Sequence, residues 1–299
     1  MPELPDIVVY LEALERRIGG RRIEGLRIAS PSVLRTFDPP YEAVVGSTVV
    51  ELRRIGKRIV WGLDSGLALV IHLMVAGRLR WKEGAGAAIP KKVGLAAWDF
   101  AGGTLVLTEQ GTRKRAGVWV FPTAGAADAE NRGGAEPLEI DLDEFSRVLR
   151  AENRTLKRAL TDPRIFSGIG NAYSDEILWE AGLSPVKRTG RLDDEEVALL
   201  HAATVRSLAT WTDRLRQEVG DGWPDKVTAF RPEMAVHGKY GQPCPRCGSP
   251  VQRIVYADNE TNYCPACQTG GTLLADRSLS RLLKDDWPRT LEEMEERRA

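Results

Sequence analysis

The sequence predicts an α+β protein: an N-terminal antiparallel β-sandwich flanked by helices, followed by a helical domain that ends in a four-cysteine ribbon. Three observations carry this prediction. Residues 22–122 are β-branched and aromatic runs separated by Gly-rich breaks, residues 138–219 switch to helical spacing, and four cysteines form two CxxC pairs near the C-terminus. The chain has 299 residues, 42 Lys+Arg against 42 Asp+Glu, and 42% hydrophobic residues. These values suit a folded protein of roughly two domains and argue against a disordered or collagen-like chain. No apolar run approaches the ~20 residues of a membrane helix, and the start MPELPDIVVYLEALERR lacks a basic region followed by an apolar core. A cytoplasmic protein with no membrane partner is expected.

Each element follows in order. Ile7, Leu11, Leu14 and Ile18 form one apolar stripe of a helix that Gly19-Gly20 stops. The runs STVVELRRI, KRIVWGL, LALVIHLMVAGRLRW, AAWDF, TLVLTE and VWVFP supply a sandwich or barrel of six to eight strands. TAGAADAENRGGAEP is small, polar and Gly-rich, the composition of a linker. LDEFSRVLRAEN, TLKRALTD, NAYSDEILWEAG and the long DDEEVALLHAATVRSLATWTDRLRQEV read as helices, and VQRIVYADNETNY as strand, turn and strand. The expected divisions are 1–123 for the β-sandwich, 124–137 for the linker, 138–233 for the helical domain, 234–268 for the ribbon and 269–299 for a C-terminal extension. Leu282, Leu283 and Trp287 suggest a short packed piece in that extension, and its acidic end a solvated helix.

The zero net charge is a sum of opposed blocks. Residues 50–120 hold twelve Lys/Arg against five acids, whereas residues 128–145 hold seven acids and one Arg. A basic block alone is weak evidence for a nucleic-acid partner, because charged residues usually just solvate a face.

Cys244-Pro-Arg-Cys247 and Cys264-Pro-Ala-Cys267 have the spacing of a ribbon that binds one zinc ion with four thiolates. A disulfide pair or a redox CxxC fits a cytosolic chain and this context less well. With every position filled by sulfur, such a metal folds the hairpin and has no open site for catalysis.

Pro2 follows the initiator Met, and removal of that Met would leave a secondary amine with a pKa near the α-amino value of ~8, partly neutral at pH 7. Such an amine attacks an aldehyde-like carbon to give a cationic iminium, and Glu3 beside it is a ready proton donor or acceptor.

The order PELPD, Gly56-Lys57, the basic block, GIGNAYSDEILWEAGLSP and a terminal ribbon ending YCPACQ resembles the formamidopyrimidine-DNA glycosylase and endonuclease VIII family over roughly residues 2–268. The resemblance implies a helix-two-turns-helix domain before the zinc ribbon. It implies base-excision repair by a DNA glycosylase with abasic-site (AP) lyase activity, acting as a monomer on damaged DNA in a bacterial-type, nucleoid-associated setting. Pro2 matches the nucleophile at the sugar C1′, Glu3 the group that protonates the ring oxygen, and Lys57 a lysine that holds a phosphate beside the site. Asn171 matches an asparagine that donates to a DNA phosphate, with Gly168 and Gly170 allowing backbone N–H groups near it. Tyr173, Ile177, Leu178 and Ala181 are expected to form that helix's buried stripe. Family members extrude the damaged nucleotide to reach C1′.

Four departures bear on lesion recognition. Asp6 stands where PELPE has a glutamate. The phosphate-gripping Arg common before the third ribbon cysteine is replaced by Asn259 and Glu260, leaving Arg253 as a partial substitute. The void-filling loop has Arg113, Lys114 and Arg115 but no aromatic, so that Met74 or Val75 is the available apolar wedge. The loop that caps oxidised guanine is replaced by DGWPDKVTAFRPEMAVHGK. Two alternatives therefore stand beside the bifunctional glycosylase: an AP-lyase-only enzyme and a catalytically weak binder of lesions or junctions.

Overall fold

The structure, a computed structural model, describes residues 1–256, 259–275 and 287–296. Leu282 and Leu283 lie outside the described residues. The chain divides into two compact units, residues 1–133 with 211–229, and residues 134–210 with 230–299.

The first unit opens with helix α1 (Leu4–Ile18), whose stripe Ile7, Leu14 and Ile18 is buried with Tyr10. Gly19 ends it where a Cβ would lie 2.6 Å from the Glu15 carbonyl oxygen. Eight strands follow: β1 (Gly25–Ile28), β2 (Val49–Ile55), β3 (Arg58–Leu63), β4 (Ala68–His72), β5 (Gly77–Glu83), β6 (Gly94–Phe100), β7 (Gly103–Glu109) and β8 (Gly117–Phe121). They form two four-stranded antiparallel sheets, ordered β1-β6-β7-β5 and β2-β3-β4-β8. Trp61, Trp98, Phe100, Ile59, Leu69 and Leu105 fill a common core with α1.

The apolar run LALVIHLMVAGRLRW is two strands in different sheets. Between β4 and β5 the chain turns at Leu73–Ala76, where Met74 has φ 51 and the Gly77 N–H returns to the Leu73 carbonyl at 2.8 Å. A Cβ at residue 77 would lie 2.2 Å from the Leu73 oxygen, so only glycine closes this turn.

The Gly-rich stretch expected to be a linker carries a short helix, α2 (Ala124–Ala127), capped by the Thr123 hydroxyl, and then a 3₁₀ turn, Asp128–Glu130. Its acids pair with part of the basic block: Asp128 with Arg53 at 2.8 Å and Glu130 with Arg58 at 2.9 Å.

The second unit contains α3 (Leu142–Arg150), α4 (Leu156–Thr161) and α5 (Asn171–Ala181), the ribbon strands β9 (Gln252–Val255) and β10 (Glu260–Tyr263), and α7 (Pro265–Thr269). The long helix α6 (Asp194–Val219) contributes to both units. Beyond the ribbon, Trp287 is half-buried and a short acidic helix spans Leu291–Glu296. Helix α5 is not the amphipathic rod its stripe predicts: Ala172 through Leu178 are all buried, Asp175 and Glu176 included, and Ala181 is only half-buried. A helix buried on every side must satisfy its polar groups internally.

Candidate active site and nucleic-acid interface

In the first unit, Pro2 and Glu3 are buried at the start of α1. The Asp6 carboxylate accepts the Glu3 backbone N–H at 2.9 Å. The shorter Asp6 therefore still orders the start of this helix, as a capping group does. Burial foremost, then the Arg78 and Lys57 cations, lowers the pKa of the Met1 amine against the opposing pull of Glu3 and Asp6. Lys57 sits in the tight turn between β2 and β3, made possible by Gly56 at φ 59, and is not in a strand.

His72, which sequence reasoning passed over, ends β4. Burial foremost, then the charges of Arg58 and Lys57, push its pKa down to about 4. The ring is therefore neutral at pH 7. Its Nδ1 faces the Met74 N–H at 3.1 Å as acceptor, which leaves the proton on Nε2 as a donor. The only sequence signal was one histidine within HLMVAGR.

Of the two wedge candidates, Val75 is 58% exposed at the turn's tip, whereas Met74 is half-buried in the left-handed backbone region. The turn thus presents Val75 to solvent more than Met74. Of the three loop cations, Arg113 and Arg115 are exposed, but Lys114 folds inward onto the carbonyls of Glu109 at 2.5 Å and Gly111 at 3.0 Å. The Glu109 carboxylate takes the N–H groups of Arg115 and Ala116, fixing the loop's return into β8.

In the second unit, Gly168 has φ 80 and Gly170 caps the start of α5. Asn171 is the helix's first residue. Its Nδ2 donates to the Glu260 carbonyl of the ribbon at 2.8 Å, leaving the amide's second N–H for another acceptor. Beneath this turn, Lys157 Nζ donates to the Asn171 carbonyl at 2.6 Å and to Asp175 Oδ1 at 2.5 Å. Asp175 Oδ2 holds His237 Nδ1 at 2.7 Å. Burial raises the pKa of Glu176, and its carboxylate accepts the backbone N–H groups of Ala235, Val236 and His237, tying α5 to the segment before the ribbon. Asn262 Oδ1 accepts the Gly238 N–H. This buried network is what makes the all-round burial of α5 affordable.

Arg253 in β9 stacks on Tyr240 at 4.3 Å and pairs with Glu260 at 3.1 Å. Asn259 is exposed, and its carbonyl accepts the Tyr256 N–H in the hairpin turn. The replacement of the family's arginine is thus accompanied by an acid that neutralises the nearest substitute.

The four Sγ atoms of Cys244, Cys247, Cys264 and Cys267 lie within 4.8 Å of one another, with 3.9 Å between Cys244 and Cys267 and 3.4 Å between Cys247 and Cys264. A tetrahedron of Zn–S bonds of about 2.3 Å needs sulfurs roughly 3.8 Å apart, so the set fits one structural zinc. Trp179 Nε1 donates to Cys244 Sγ at 3.3 Å, and Arg246 stacks on Trp179 at 4.4 Å. These contacts orient the first knuckle on α5.

A ribbon bonded through the Glu260 carbonyl to the glycine-led start of α5 thus stands on one chain with a β-sandwich that buries Pro2 and Glu3. The formamidopyrimidine-DNA glycosylase N-terminal domain matches residues 1–118, that family's H2TH domain residues 134–213, and the zinc finger found in FPG and IleRS residues 241–270. The chain belongs to the formamidopyrimidine-DNA glycosylase family, whose members are DNA glycosylases with AP lyase activity. A formamidopyrimidine-DNA glycosylase of Chloroflexus aggregans is 33% identical over 278 residues, which cover 90% of this chain and 98% of the relative. An uncharacterized formamidopyrimidine-DNA glycosylase-like protein of Mycobacterium tuberculosis is 40% identical over 151 residues, 50% of this chain and 94% of that protein. Among solved structures, a complex of the Lactococcus lactis Fpg protein with DNA containing an oxidized pyrimidine matches with a TM-score of 0.77 at 28% identity, covering 90% of this chain and 100% of that one. A complex of the LlFpg protein with a THF-DNA and an inhibitor matches with a TM-score of 0.78 at 26% identity, with the same coverage. No helix among the described residues is long and apolar enough to cross a membrane.

Proposed function

We propose that this chain excises damaged bases from DNA through the Pro2 amine, with Glu3 as the acid and Lys57 as a phosphate-holding cation, and then cuts the strand by β,δ-elimination. The observation that carries this reading is the amino-terminal corner, where Pro2 and Glu3 are buried at the start of α1 and the Asp6 carboxylate holds the Glu3 backbone N–H at 2.9 Å. After removal of Met1, the Pro2 nitrogen attacks C1′ as the bond from C1′ to the base breaks. Glu3 gives a proton to the ring oxygen as the sugar opens, and the iminium then acts as electron sink for the loss first of the 3′ and then of the 5′ phosphate.

The DNA contacts assigned here are, in the second unit, the first turn of α5 with Asn171, Gly168 and Gly170 and, in the first unit, the neutral His72 Nε2–H and the exposed Arg113 and Arg115. Val75 is the wedge that enters the space left by the extruded nucleotide. The setting inferred is the cytoplasm, with the protein a monomer on DNA.

Borohydride reduction in the presence of abasic-site DNA tests the mechanism. The mature protein is expected to form a covalent adduct, and a version with a blocked amino terminus none; an adduct that survives the block would remove Pro2 from the mechanism. A panel of oligonucleotides with oxidised purines, oxidised pyrimidines, uracil and abasic sites, in single and double strands, then identifies the substrate. Cleavage of abasic DNA alone would select the AP-lyase-only reading.

A further inference from the structure

Helix α2 covers part of one face of the sheet β2-β3-β4-β8. Val60 of β3 and Val70 of β4 are paired in register and pack with Ala127 of α2. Two residues along the same strands, Arg58 and His72 are directly opposed in the same register. Side chains alternate along a strand, so Arg58 and His72 project from the face that the two valines occupy, with Cβ atoms about 5 Å apart. The Arg58 guanidinium lies over the Trp119 ring of β8 at 6.0 Å. A cation and the His72 Nε2–H donor thus share one end of this face.

The segment that follows α2 supplies an acid to the cation. Burial of Ala127 and the Thr123 cap fix the helix, and the 3₁₀ turn after it brings Glu130 onto Arg58, Oε2 to Nη2 at 2.9 Å, with side chains 22% and 15% exposed. The hold is incomplete. Arg58 Nε is buried without a hydrogen-bond partner, and a charged donor left unpaired makes the pair weaker than a complete fork. The neighbouring Arg53 is secured differently: besides Asp128 it has the Ala124 carbonyl at 3.1 Å to hold it. Among the described residues Glu130 bonds Arg58 and makes no contact with His72.

We infer that Glu130 occupies, in the free protein, the place of a DNA phosphate on Arg58. When duplex DNA binds, a backbone phosphate takes the guanidinium together with the His72 Nε2–H, and the carboxylate turns out to solvent. A phosphodiester has two non-bridging oxygens and can accept from both donors, where Glu130 serves only one. Glu130 is then an internal competitor that weakens the grip on every duplex alike, damaged or not, because a phosphate carries no sequence information. Arg58 becomes a DNA contact beyond those assigned above, and its assignment rests on the reading of His72 as one of them.

The test is binding of the full chain to a duplex oligonucleotide carrying an unreactive abasic-site analogue, followed by fluorescence anisotropy between about 50 and about 200 mM salt. Glu130→Gln keeps the side chain's length and releases the Arg58 charge, and is expected to bind about 3-fold tighter or more at the low-salt end. Arg58→Met is expected to bind more weakly and to lower the slope of log affinity against log salt by about 0.9, the value of one phosphate contact. Arg58→Gln gives the same result and serves if the methionine variant does not fold, whereas Arg58→Lys keeps the slope. In either uncharged background Glu130→Gln has no further effect. Glu144→Gln removes the same charge from the exposed pair with Arg147 on α3 and leaves affinity unchanged. Equal tightening by Glu144→Gln, no tightening by Glu130→Gln, or an unmoved slope in the uncharged Arg58 variants overturns the proposal, and the His72 reading then stands if His72→Ala still weakens binding. A His72→Ala variant that binds like the wild type overturns both.

Discussion

Cations in the two units are held in two different ways. In the first, Arg78 and Lys114 are bound by backbone carbonyls, three for Arg78 and two for Lys114, although Arg53, Arg58 and Arg80 there pair with Asp128, Glu130 and Asp225. In the second, Lys157 is tied to Asp175 and Arg253 to Glu260. A carbonyl fixes a cation without cancelling it, whereas a carboxylate at hydrogen-bond distance removes most of its field beyond the pair. The carbonyl-held cations thus keep their positive potential, and the carboxylate-held ones convert charge into rigidity.

The strongest way to break the contrast is to remove one cation of each kind. Lys157→Met leaves the fully buried Asp175 facing only His237 and is expected to cost about 3–5 kcal/mol, lowering the Tm by about 10 °C. Lys114→Met frees carbonyls in a solvent-facing loop and should cost less than about 1 kcal/mol. Equal losses in thermal unfolding would mean that carbonyl-held and carboxylate-held cations do the same structural work.

That difference was not legible in the sequence, although much else was. The strand runs, the α1 stripe with its Gly19 stop and the two CxxC pairs are local patterns, and local patterns suffice to place strands, helices and a metal knuckle. Pro2 and Glu3 could be singled out in the sequence because the chemistry expected of them depends on chain position. Arg78 was counted only as one of twelve cations, because its partner Val227 lies 149 positions away and no spacing rule reaches so far. Met74 and Val75 could not be told apart for a related reason. Both are apolar neighbours in HLMVAGR, and only the tight turn between the sheets puts Met74 at φ 51 and turns Val75 to solvent. Composition likewise suggested a linker where Asp128 and Glu130 are committed to Arg53 and Arg58, so the +7 of the basic block overstates the charge left for DNA.

The ribbon side of the contrast is sharpened by Glu260→Gln. The substitution keeps the backbone carbonyl that Asn171 binds and the side chain's shape, but it releases the Arg253 charge. Affinity for duplex DNA at low salt is expected to rise several-fold, and the slope of log affinity against log salt to steepen by about 0.9, the value for one added phosphate contact. An unchanged slope would show that Arg253 does not reach a phosphate even when freed.

The smallest effect is read at His72, which reports the uncancelled field in the first unit. Its folded pKa, about 4, lies below the ordinary 6.5, so folding favours the neutral ring. The sign follows: above about pH 6.5 both folded and unfolded chains hold it neutral, and as the pH falls toward 4 the unfolded chain takes up a proton that the folded chain refuses. Stability is therefore lost across that window, by about 2–3 kcal/mol at its lower end. His72→Gln should flatten this part of the acid limb in urea unfolding measured at successive pH values. Burial leads the shift, with Arg58 and then Lys57 behind it, so Lys57→Met should raise the pKa of the His72 ring by only a fraction of a unit in an NMR titration. An increase, however small, means that Lys57's charge is felt inside the fold; no change means that solvent has already screened it.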